Sequence, residues 1–487
     1  MILSLGVKLN MKLNTLLMNI TNNANESIHH IDIEGISTNS SSVRPNELFV
    51  AIPGYSVDGH AFIEDAIKAG ASVVVGEKDL KGLTVPYIRV SNSRFALAKM
   101  ACQFYETPSK KRIIVGITGT NGKTTTSFML KHILESSGRT CSLFGSVMNI
   151  VNGQVSPAVN TTLGALELQR QLALSKDEII IIEVSSHGLS QYRVGGMEFD
   201  YCLFTNLDHD HLDYHRDMEE YFSVKASLFD QLKPDGKAII NHYNSWGMKL
   251  ADRLKLNGCN IYTLGEERYC DLRIDKFISE EINSAVVLEQ NKSVRLKLNI
   301  LGKHNIFNAS MAYLTGRELG LESSKIIHAL EKLRGVPGRF EVMQHPKGAT
   351  IVIDYAHTPD ALYHCLQTAK EKGAERIFHI FGFRGNRDTE KRREMVSISQ
   401  EMSDASILTL DDLNGISYED MEKDLHKLNL QQKGFVIPDR TMAIKCAWDQ
   451  VDEGDWVFIT GKGSEAYQQQ YHLPTASDKE TVQYLSQ

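Results

Sequence analysis

A glycine-rich stretch with one lysine and three consecutive threonines is the clearest place for chemistry in this 487-residue chain. GITGTNGKTTT, residues 116–126, follows the apolar run 113–115. Glycines let backbone N–H groups approach a polyphosphate, and the N-terminus of the following helix adds positive potential. Lys123 would neutralise β- and γ-phosphate charge, and the Thr124 hydroxyl would ligate magnesium. The stretch predicts an ATP- or GTP-binding loop.

The match is to a variant of the usual phosphate-loop pattern. Gly116 and Gly122 enclose five residues where the strict pattern has four, so the matching segment is GTNGKTT at 119–125. The alternative is a plain glycine-rich turn between a strand and a helix.

A second cluster of reactive side chains follows the strand-like run YCLFTNL at 201–207. It contains Asp208, His209, Asp210, His211, Asp213 and His215. Ligands of doubly wound sheets bind where strands end, so these residues are candidates for holding a phosphate-bound cation. The alternatives are a solvated acidic loop and a zinc pair formed by His211 and His215.

Strands and helices must position these residues, and the chain has three regions with that alternation. In the first, the runs ELFVAI and SVVVGE enclose the helical pattern FIEDAIKAGA; in the second, KRIIVGITG, EIIIIEV and YCLFTNL are each followed by a helical stretch. After the linker-like GVPGRFE come TIVIDYA, RIFHIFGF, ASILTLDD and DWVFITGKG. This pattern predicts an α/β fold with mostly parallel sheets and domains at 1–109, 110–337 and 338–487.

Composition and charge exclude several classes of function. The net charge of −7 gives no basic surface, so we expect no nucleic-acid partner. We expect no membrane insertion, because no run approaches the roughly 20 apolar residues of a membrane span. Lys8 and Lys12 interrupt the opening segment, which we interpret as ordinary rather than as a signal peptide, with Met11 as a candidate start. Seven scattered cysteines favour reduced thiols and a cytoplasmic protein.

Eight motifs together resemble one enzyme family. In chain order they are GTNGKTT, EVSSHGLSQYRV, TNLDHDHLDYH, GKHNIFNASMA, GVPGRFE, DYAHTPDAL, GNRDTEKR and GKGSE. Their order and spacing are similar to those of the Mur ligases, and most of all to the MurE branch, which adds the third residue of the peptidoglycan stem to UDP-MurNAc-L-Ala-D-Glu.

The resemblance implies three domains: an N-terminal UDP-substrate domain, a central ATPase-type domain with a parallel sheet, and a Rossmann-like acceptor domain. It also implies a reaction in which a carboxylate attacks the γ-phosphate of ATP and an amine then attacks the acyl phosphate. The partners would be a UDP-MurNAc-dipeptide and a free amino acid, with ATP and Mg²⁺ as cofactors. We expect a monomer.

The resemblance also assigns site residues. For ATP they are Gly119, Thr120, Asn121, Gly122, Lys123, Thr124, Thr125, Asn305, Arg339 and Asp354. For magnesium they are Thr124, Glu183, His211 and Lys225, the last expected to be carbamylated. For the UDP-substrate they are Ser40, Asn160, Thr161, Thr162, Ser185, Gln191 and Arg193. For the acceptor they are Arg387, Asp411, Asp412, Asn414, Gly461 and Glu465. The catalytic set is Lys123, Lys225, His211 and Arg387.

The acceptor motif departs from the family. Diaminopimelate-adding members carry Asp-Asn-Pro-Arg, whose arginine holds the distal carboxylate, whereas residues 411–414 read Asp-Asp-Leu-Asn. Asparagine cannot supply a cationic fork, and the Asn-Pro kept by lysine-adding members is also missing. We therefore expect an acceptor with an ordinary amino-acid head and a side chain other than that of diaminopimelate. Asp411 and Asp412 would favour a cationic, lysine-like side chain, unless they only cap a turn.

Two further departures leave other hypotheses open. Asn39-Ser40-Ser41 replaces the Asp-Ser-Arg expected near uridine, and Ser464 replaces a histidine. A paralogue that joins a different amino acid or carboxylate donor in a specialised pathway would explain such changes. An ATP-binding regulator that has lost catalysis is less consistent with the sequence, because Lys123, Glu183, His211 and Lys225 are retained.

Overall fold

The structure of the protein, a computed structural model, describes residues 10–20, 28, 30–55, 57–279, 283–290, 292–428 and 434–487. The first nine residues of the opening segment, where we expected no signal peptide, lie outside the described residues.

Strands and helices alternate along the chain. The first part contains β1 (Met11–Lys12), α1 (Leu13–Leu16), β2 (Asp32–Ile33), β3 (Gly35–Ser37), β4 (Glu47–Val50), α2 (Ile63–Ala69), β5 (Ala71–Gly76), β6 (Tyr87–Arg89) and α3 (Ser93–Phe104). The middle part contains β7 (Ile113–Thr118), α4 (Lys123–Ser136), β8 (Cys141–Phe144), β9 (Met148–Val151), β10 (Gln154–Pro157), α5 (Ala165–Leu174), β11 (Ile179–Glu183), α6 (Ser186–Ser190), β12 (Phe199–Phe204), α7 (Met218–Ala226), β13 (Leu232–Asn241), α8 (Ser245–Leu256), β14 (Asn260–Gly265), β15 (Leu272–Ser279), β16 (Asn283–Glu289), β17 (Lys292–Leu298), α9 (Lys303–Glu318) and α10 (Ser323–Lys332). The last part contains β18 (Glu341–Gln344), β19 (Thr350–Asp354), α11 (Pro359–Glu371), β20 (Ile377–Phe383), α12 (Lys391–Met402), β21 (Ala405–Leu410), α13 (Tyr418–His426), β22 (Gly434–Val436), α14 (Arg440–Gln450), β23 (Trp456–Thr460) and α15 (Asp478–Leu485).

The described residues form two compact units. Unit 1 comprises Met1–Gly116, Cys141–Asp200 and Asp230–Lys233, and unit 2 comprises Ile117–Thr140, Tyr201–Phe229 and Pro234–Gln487. The domain boundaries inferred from the sequence, at 109/110 and 337/338, stay a prediction.

Unit 1 contains a parallel sheet of strand order β3-β4-β5-β6. Successive side chains of a strand point to opposite faces, so Leu48 and Val50 enter one hydrophobic core and Phe49 enters another. In the same unit, β8 pairs in parallel with β11 and antiparallel with β9, and β9 pairs with β10. The four isoleucines of β11 are fully buried, which explains the continuous apolar run in its sequence.

Unit 2 contains the strands in the order β12-β13-β14-β15-β16-β17. Strands β13 to β15 pair in parallel, and β15, β16 and β17 form an antiparallel meander. A six-stranded sheet of order β18-β19-β23-β20-β21-β22 occupies the C-terminal part and is parallel except for its edge strand β18.

These sheets confirm the predicted α/β fold class. None of the seven cysteines forms a disulfide. No helix of the described residues combines the length and apolar composition needed to cross a bilayer.

Candidate active site

The glycine-rich loop of unit 2 connects the buried strand β7 to helix α4, which begins at Lys123. Gly119 has a φ of +146°, and a Cβ atom there would lie 1.9 Å from the hydroxyl oxygen of Thr205. Gly122 has a φ of +82°, and its Cβ would lie 2.3 Å from the side-chain oxygen of Asn308. Both positions therefore require glycine, because the loop backbone packs directly against neighbouring side chains.

Polar contacts within the protein hold this loop in place. The Lys123 ammonium donates to the carbonyl oxygens of Gly119 at 2.8 Å and Thr120 at 2.9 Å. The backbone N–H of Asn121 donates to the side chain of Asn206 at 2.8 Å. Thr124 and Thr125 are buried in the first turn of α4. A cation, two hydroxyl groups and a helix N-terminus thus lie together, which suits the binding of phosphate groups.

Arg339 reaches the loop from the segment that follows Gly338. Its guanidinium nitrogen Nη2 lies 3.2 Å from the hydroxyl oxygen of Thr124. The guanidinium also lies 4.2 Å from the centroid of the Tyr355 ring, a cation–π contact that fixes its direction. Arg339 therefore lies beside the phosphate loop in unit 2.

The side chains of Asp354 and Asn305 each accept hydrogen bonds from nearby residues. Asp354 ends strand β19 and accepts backbone N–H bonds from Phe340 and Ala356, each at 2.6 Å. Burial raises the pKa of Asp354 above its usual range, although Arg339 opposes the shift. Asn305 accepts from the Asn308 side chain at 3.1 Å, and Asn308 packs against Gly122. Both residues thus shape the region around the loop.

The acidic and histidine-rich segment after β12 is built around Asp210. Its carboxylate lies 2.7 Å from the Lys391 ammonium, 3.3 Å from His211 Nε2 and 3.5 Å from His357 Nε2. Burial opposes ionisation, but His211, His357 and Lys391 together hold the pKa of Asp210 well below its usual range. Asp210 therefore orients the imidazole of His211 in this segment.

Lys225 is a buried lysine, with 1% of its surface exposed, on helix α7. Its ammonium donates to the carbonyl of Gly119 at 2.8 Å and lies 4.6 Å from the centroid of the Tyr221 ring. Burial, together with the charge of Lys123, holds the pKa of Lys225 well below its ordinary value. The side chain therefore points into the phosphate loop rather than to solvent.

In unit 1, Glu183 ends strand β11 with a fully buried carboxylate. The Ser146 hydroxyl donates to the Glu183 carboxylate at 3.0 Å and lies 3.0 Å from the hydroxyl of Thr161. The Thr162 hydroxyl donates to the backbone carbonyl of Glu183 at 2.9 Å and lies 3.1 Å from the Ser185 hydroxyl. These contacts bring three predicted substrate residues to the end of β11.

Arg193 extends this network. It donates to the backbone carbonyl of Thr162 at 2.7 Å and to the Gln191 side chain at 2.9 Å. Among the described residues, no hydrogen bond or ion pair joins Ser40 or Asn160 to this network. Ser40 lies in a separate turn that is capped by Asn39, whose side chain accepts from the backbone N–H of Ser41 at 3.0 Å.

The predicted acceptor residues surround the ends of strands β20, β21 and β23 in unit 2. Asp411 and Asp412 are buried and both pair with the Lys462 ammonium, at 3.1 and 2.5 Å. Glu465 forms an ion pair with Arg384. Arg387, Asn414 and Gly461 lie in the adjoining loops, with Arg387 half exposed and 3.9 Å from Asp213. Gly461 has a φ of +105°.

Comparison with known proteins gives consistent matches over most of the chain. Family models for the Mur ligase middle domain, the Mur ligase glutamate ligase domain and the Mur ligase catalytic domain match residues 117–316, 338–463 and 32–105. The chain is 36% identical to a UDP-N-acetylmuramoyl-L-alanyl-D-glutamate–2,6-diaminopimelate ligase from Bacillus velezensis, over 91% of each chain. The chain belongs to the Mur ligase family. Mur ligases are ATP-dependent ligases, and this chain is one of them.

Two solved structures support the Mur ligase architecture. A diaminopimelate ligase of the same name has a TM-score of 0.66 at 27% identity, and the match covers 94% of this chain and 95% of the other. A MurF ligase from Thermotoga maritima, solved in complex with ADP, has a TM-score of 0.65 at 20% identity over 87% and 93% of the two chains, which shows a shared fold.

In this Mur ligase, the structure brings the predicted nucleotide residues together in unit 2 and most of the predicted substrate residues together in unit 1. The predicted magnesium ligands are divided: Thr124, His211 and Lys225 lie in unit 2 and Glu183 lies in unit 1. Within the described part of the chain, no three His, Cys, Asp or Glu side chains are grouped as metal ligands would be. The predicted set has only two residues of these types, so it stays a prediction.

No role was predicted from the sequence for Lys391, Lys462, Tyr355 or Arg384. The first three lie inside the quoted motifs GNRDTEKR, GKGSE and DYAHTPDAL, and Arg384 directly follows the predicted strand RIFHIFGF. A cation immediately after a parallel strand was a usable signal, because such positions face ligands. The pairings of these cations with acidic residues could not be predicted, because the partners are far apart in sequence.

Proposed function

We propose that this Mur ligase joins an amino acid to the D-glutamyl carboxylate of UDP-MurNAc-L-Ala-D-Glu during peptidoglycan precursor synthesis. The observation that carries the proposal is the 36% identity, over 91% of both chains, to the Bacillus velezensis enzyme whose name states this donor. We further propose a monomeric, cytoplasmic enzyme, with domain boundaries near 109/110 and 337/338.

In the proposed reaction, an oxygen of the donor carboxylate attacks the γ-phosphorus of ATP, and the bond to the β-bridging oxygen breaks to release ADP. The acceptor amine then attacks the acyl carbon, loses a proton and expels inorganic phosphate. The loop amides, Lys123 and Arg339 supply fixed positive potential where the phosphoryl group carries its charge. Their proximity supports the proposal, since Arg339 contacts Thr124 at 3.2 Å.

Mg²⁺ is the cation that this chemistry requires, and Thr124, Glu183, His211 and Lys225 are the residues proposed to hold it. The fully buried Glu183 carboxylate and the orienting contact of Asp210 with His211 suit such a role. When bound, magnesium would neutralise charge on the phosphates and on the transferred group.

We propose that Lys225 is carbamylated in the active enzyme. Only a neutral amine attacks carbon dioxide, and the pKa of Lys225 is held well below its ordinary value by burial and by Lys123. The ammonium first loses one proton, and the neutral amine nitrogen then forms a bond to the CO₂ carbon and loses a second proton, so a cation becomes an anion. Enzyme equilibrated with ¹³C-bicarbonate should show one carbamate signal by NMR that is absent from Lys225→Ala. The exposed Lys255→Ala is the matched control and should keep the signal.

The proposed function is tested by phosphate release and product mass. Phosphate should appear only when ATP, the UDP-sugar dipeptide and an amino acid are all present, and the product mass should equal donor plus amino acid minus water. Lys123→Ala should abolish the reaction, because it removes the loop cation. No product from twenty amino acids and diaminopimelate would favour the paralogue hypothesis, for which the changes at 39–41 and 411–414 are the supporting observations.

A further inference from the structure

Helix α7 holds the phosphate loop through two side chains that lie one turn apart on the same face. Residues four apart are neighbours on a helix surface, and Tyr221 and Lys225 are such a pair. The Lys225 ammonium donates to the carbonyl of Gly119 at 2.8 Å, and the Tyr221 hydroxyl lies 3.1 Å from the hydroxyl of Thr120. The helix therefore contacts two consecutive residues of the loop.

The Thr120 hydroxyl joins three parts of unit 2. It lies 3.0 Å from the backbone nitrogen of Asp208, 3.3 Å from the carbonyl oxygen of the same residue and 3.1 Å from the Tyr221 hydroxyl. A threonine hydroxyl has one proton and two lone pairs, so it satisfies all three contacts only if it donates to the Asp208 carbonyl and accepts from the other two groups. Tyr221 is therefore the donor in its contact with Thr120.

Burial and neighbouring groups restrict the Tyr221 ring. The residue is fully buried, and Thr120 is only 7% exposed. The ring centroid lies 4.6 Å from the Lys225 ammonium, a cation–π contact, and 5.0 Å from the centroid of the His215 ring. Because these neighbours restrict the ring, its hydroxyl defines one position for Thr120.

Thr120 is also the residue through which a shift would spread along the loop. Its backbone N–H donates to the Asn206 carbonyl at 3.0 Å, and its own carbonyl accepts from the Lys123 ammonium at 2.9 Å. The loop residue that Tyr221 holds therefore also positions Lys123, the cation of the phosphate loop.

We propose that Tyr221 is a positioning residue for nucleotide binding: its hydroxyl holds Thr120, and through Thr120 the phosphate loop, in the conformation that accepts the phosphates of ATP. Tyr221 acts through Thr120, and contact with the nucleotide is not part of its role. Because ATP is used by the whole Mur ligase family, this inference is independent of the proposed donor and acceptor.

A purely structural role for Tyr221 makes a different prediction. A buried tyrosine fills apolar space, and its hydroxyl needs a hydrogen-bond partner even where that partner has no function. In that case Tyr221→Phe would lower the free energy of unfolding and leave the affinity for nucleotide unchanged. If Tyr221 positions the loop, the same substitution weakens nucleotide binding by enzyme that is fully folded.

The test is calorimetric titration of the folded enzyme with ADP in the presence of magnesium, which needs neither donor nor acceptor. Tyr221→Phe keeps the ring and removes the hydroxyl, so the Kd for ADP should rise about 5-fold, equivalent to about 1 kcal/mol for one neutral hydrogen bond. Thr120→Val removes the same bond from the loop and should raise the Kd at least as much. In the double variant, Tyr221→Phe should add little to the effect of Thr120→Val, because both substitutions remove one shared bond.

Phe222→Leu is the matched control. Phe222 is the next residue of α7 and is also buried, and its ring centroid lies 5.2 Å from that of Trp246 on helix α8. This variant should lower the free energy of unfolding and leave the Kd for ADP unchanged.

Three results would overturn the inference: an unchanged Kd in Tyr221→Phe, an equal rise in Phe222→Leu, and independent effects that multiply in the double variant. If Tyr221→Phe does not fold, Thr120→Val decides alone, and an unchanged Kd in that variant overturns the inference. These results leave the proposed function standing, since product formation from donor and acceptor is measured separately.

Discussion

The ion pair between Asp210 and Lys391 provides the sharpest test of the electrostatics of unit 2. The pair joins the segment after β12 to helix α12, with atoms 2.7 Å apart and side chains 5% and 11% exposed. Removing one partner of a buried pair costs about 3–5 kcal/mol, because the other charge is left uncompensated. In Lys391→Met, the Asp210 carboxylate would still have two partners, His211 Nε2 at 3.3 Å and His357 Nε2 at 3.5 Å. We therefore expect a loss near the lower limit, about 3 kcal/mol of unfolding free energy.

The assay is urea denaturation followed by tryptophan fluorescence. The three tryptophans of the chain are at 246, 448 and 456, so the signal reports on unit 2. A double-mutant cycle with Asp210→Asn isolates the pair, and we expect a coupling free energy of about 1–3 kcal/mol. Lys391→Arg keeps the charge, and Arg393→Met removes an exposed charge from the same helix. Both controls should stay close to the unaltered protein.

The pH dependence of this stabilisation follows from the lowered pKa of Asp210. Its carboxylate is charged in the folded protein well below the ordinary 3.8, so the contribution is present at neutral pH and is lost as the pH falls through the lowered value. The difference between Lys391→Met and the unaltered protein should therefore persist from pH 8 to pH 5. A loss within about 0.5 kcal/mol of that in Arg393→Met, with no coupling in the cycle, would refute the reasoning, since pairs in contact normally couple more strongly.

Three further predictions concern the loop and two buried groups. Gly119→Ala should lower the free energy of unfolding by about 1–3 kcal/mol, because its Cβ overpacks against Thr205, and it should raise the KM for ATP. Gly138→Ala is the control, since Gly138 also has a positive φ but open space around its Cβ. Equal effects of the two substitutions would contradict the steric clash. Burial lowers the pKa of His379 to about 3, so as the pH falls this histidine is protonated in the unfolded chain before it is protonated in the folded protein. The free energy of unfolding, measured in urea titrations, should therefore fall by about 2 kcal/mol between pH 7 and pH 5. The same decrease in His379→Gln would count against this explanation. Arg440→Met removes a cation paired inside the core and should cost about 3–5 kcal/mol by thermal unfolding, whereas a melting temperature like that of Arg440→Lys would contradict it.

The region around Lys123 could be predicted because local sequence determines its geometry. An apolar run, glycines at two backbone positions and a helix-starting lysine define a strand, loop and helix without reference to distant residues. The same holds for β11, β12 and β23, which are short, mostly buried runs that end in a polar residue or are directly followed by one. Local pattern therefore placed the nucleotide-binding elements correctly.

The antiparallel meander β15–β17 was not predicted. Each of its strands carries charged residues, and KSVRLKL in β17 alternates apolar and polar positions with Leu296 and Leu298 buried. The alternation was a usable signal for a half-buried strand. The pairing of β15 with β14 could not be predicted from the sequence, because strand order depends on pairing between segments and not on the pattern within one of them.

The charges of Asp411 and Asp412 show why residue type alone could not assign the acceptor. From sequence, Asp411 and Asp412 are two negative charges at a predicted binding site, and the simplest complement is a cationic ligand. Their partner Lys462 lies about 50 residues further along the chain and is brought next to them only by the pairing of β20 with β21 and β23. The same pairing places Arg384 near Asp412 and Glu465, so the charge that these side chains present together depends on contacts that residue type alone does not reveal.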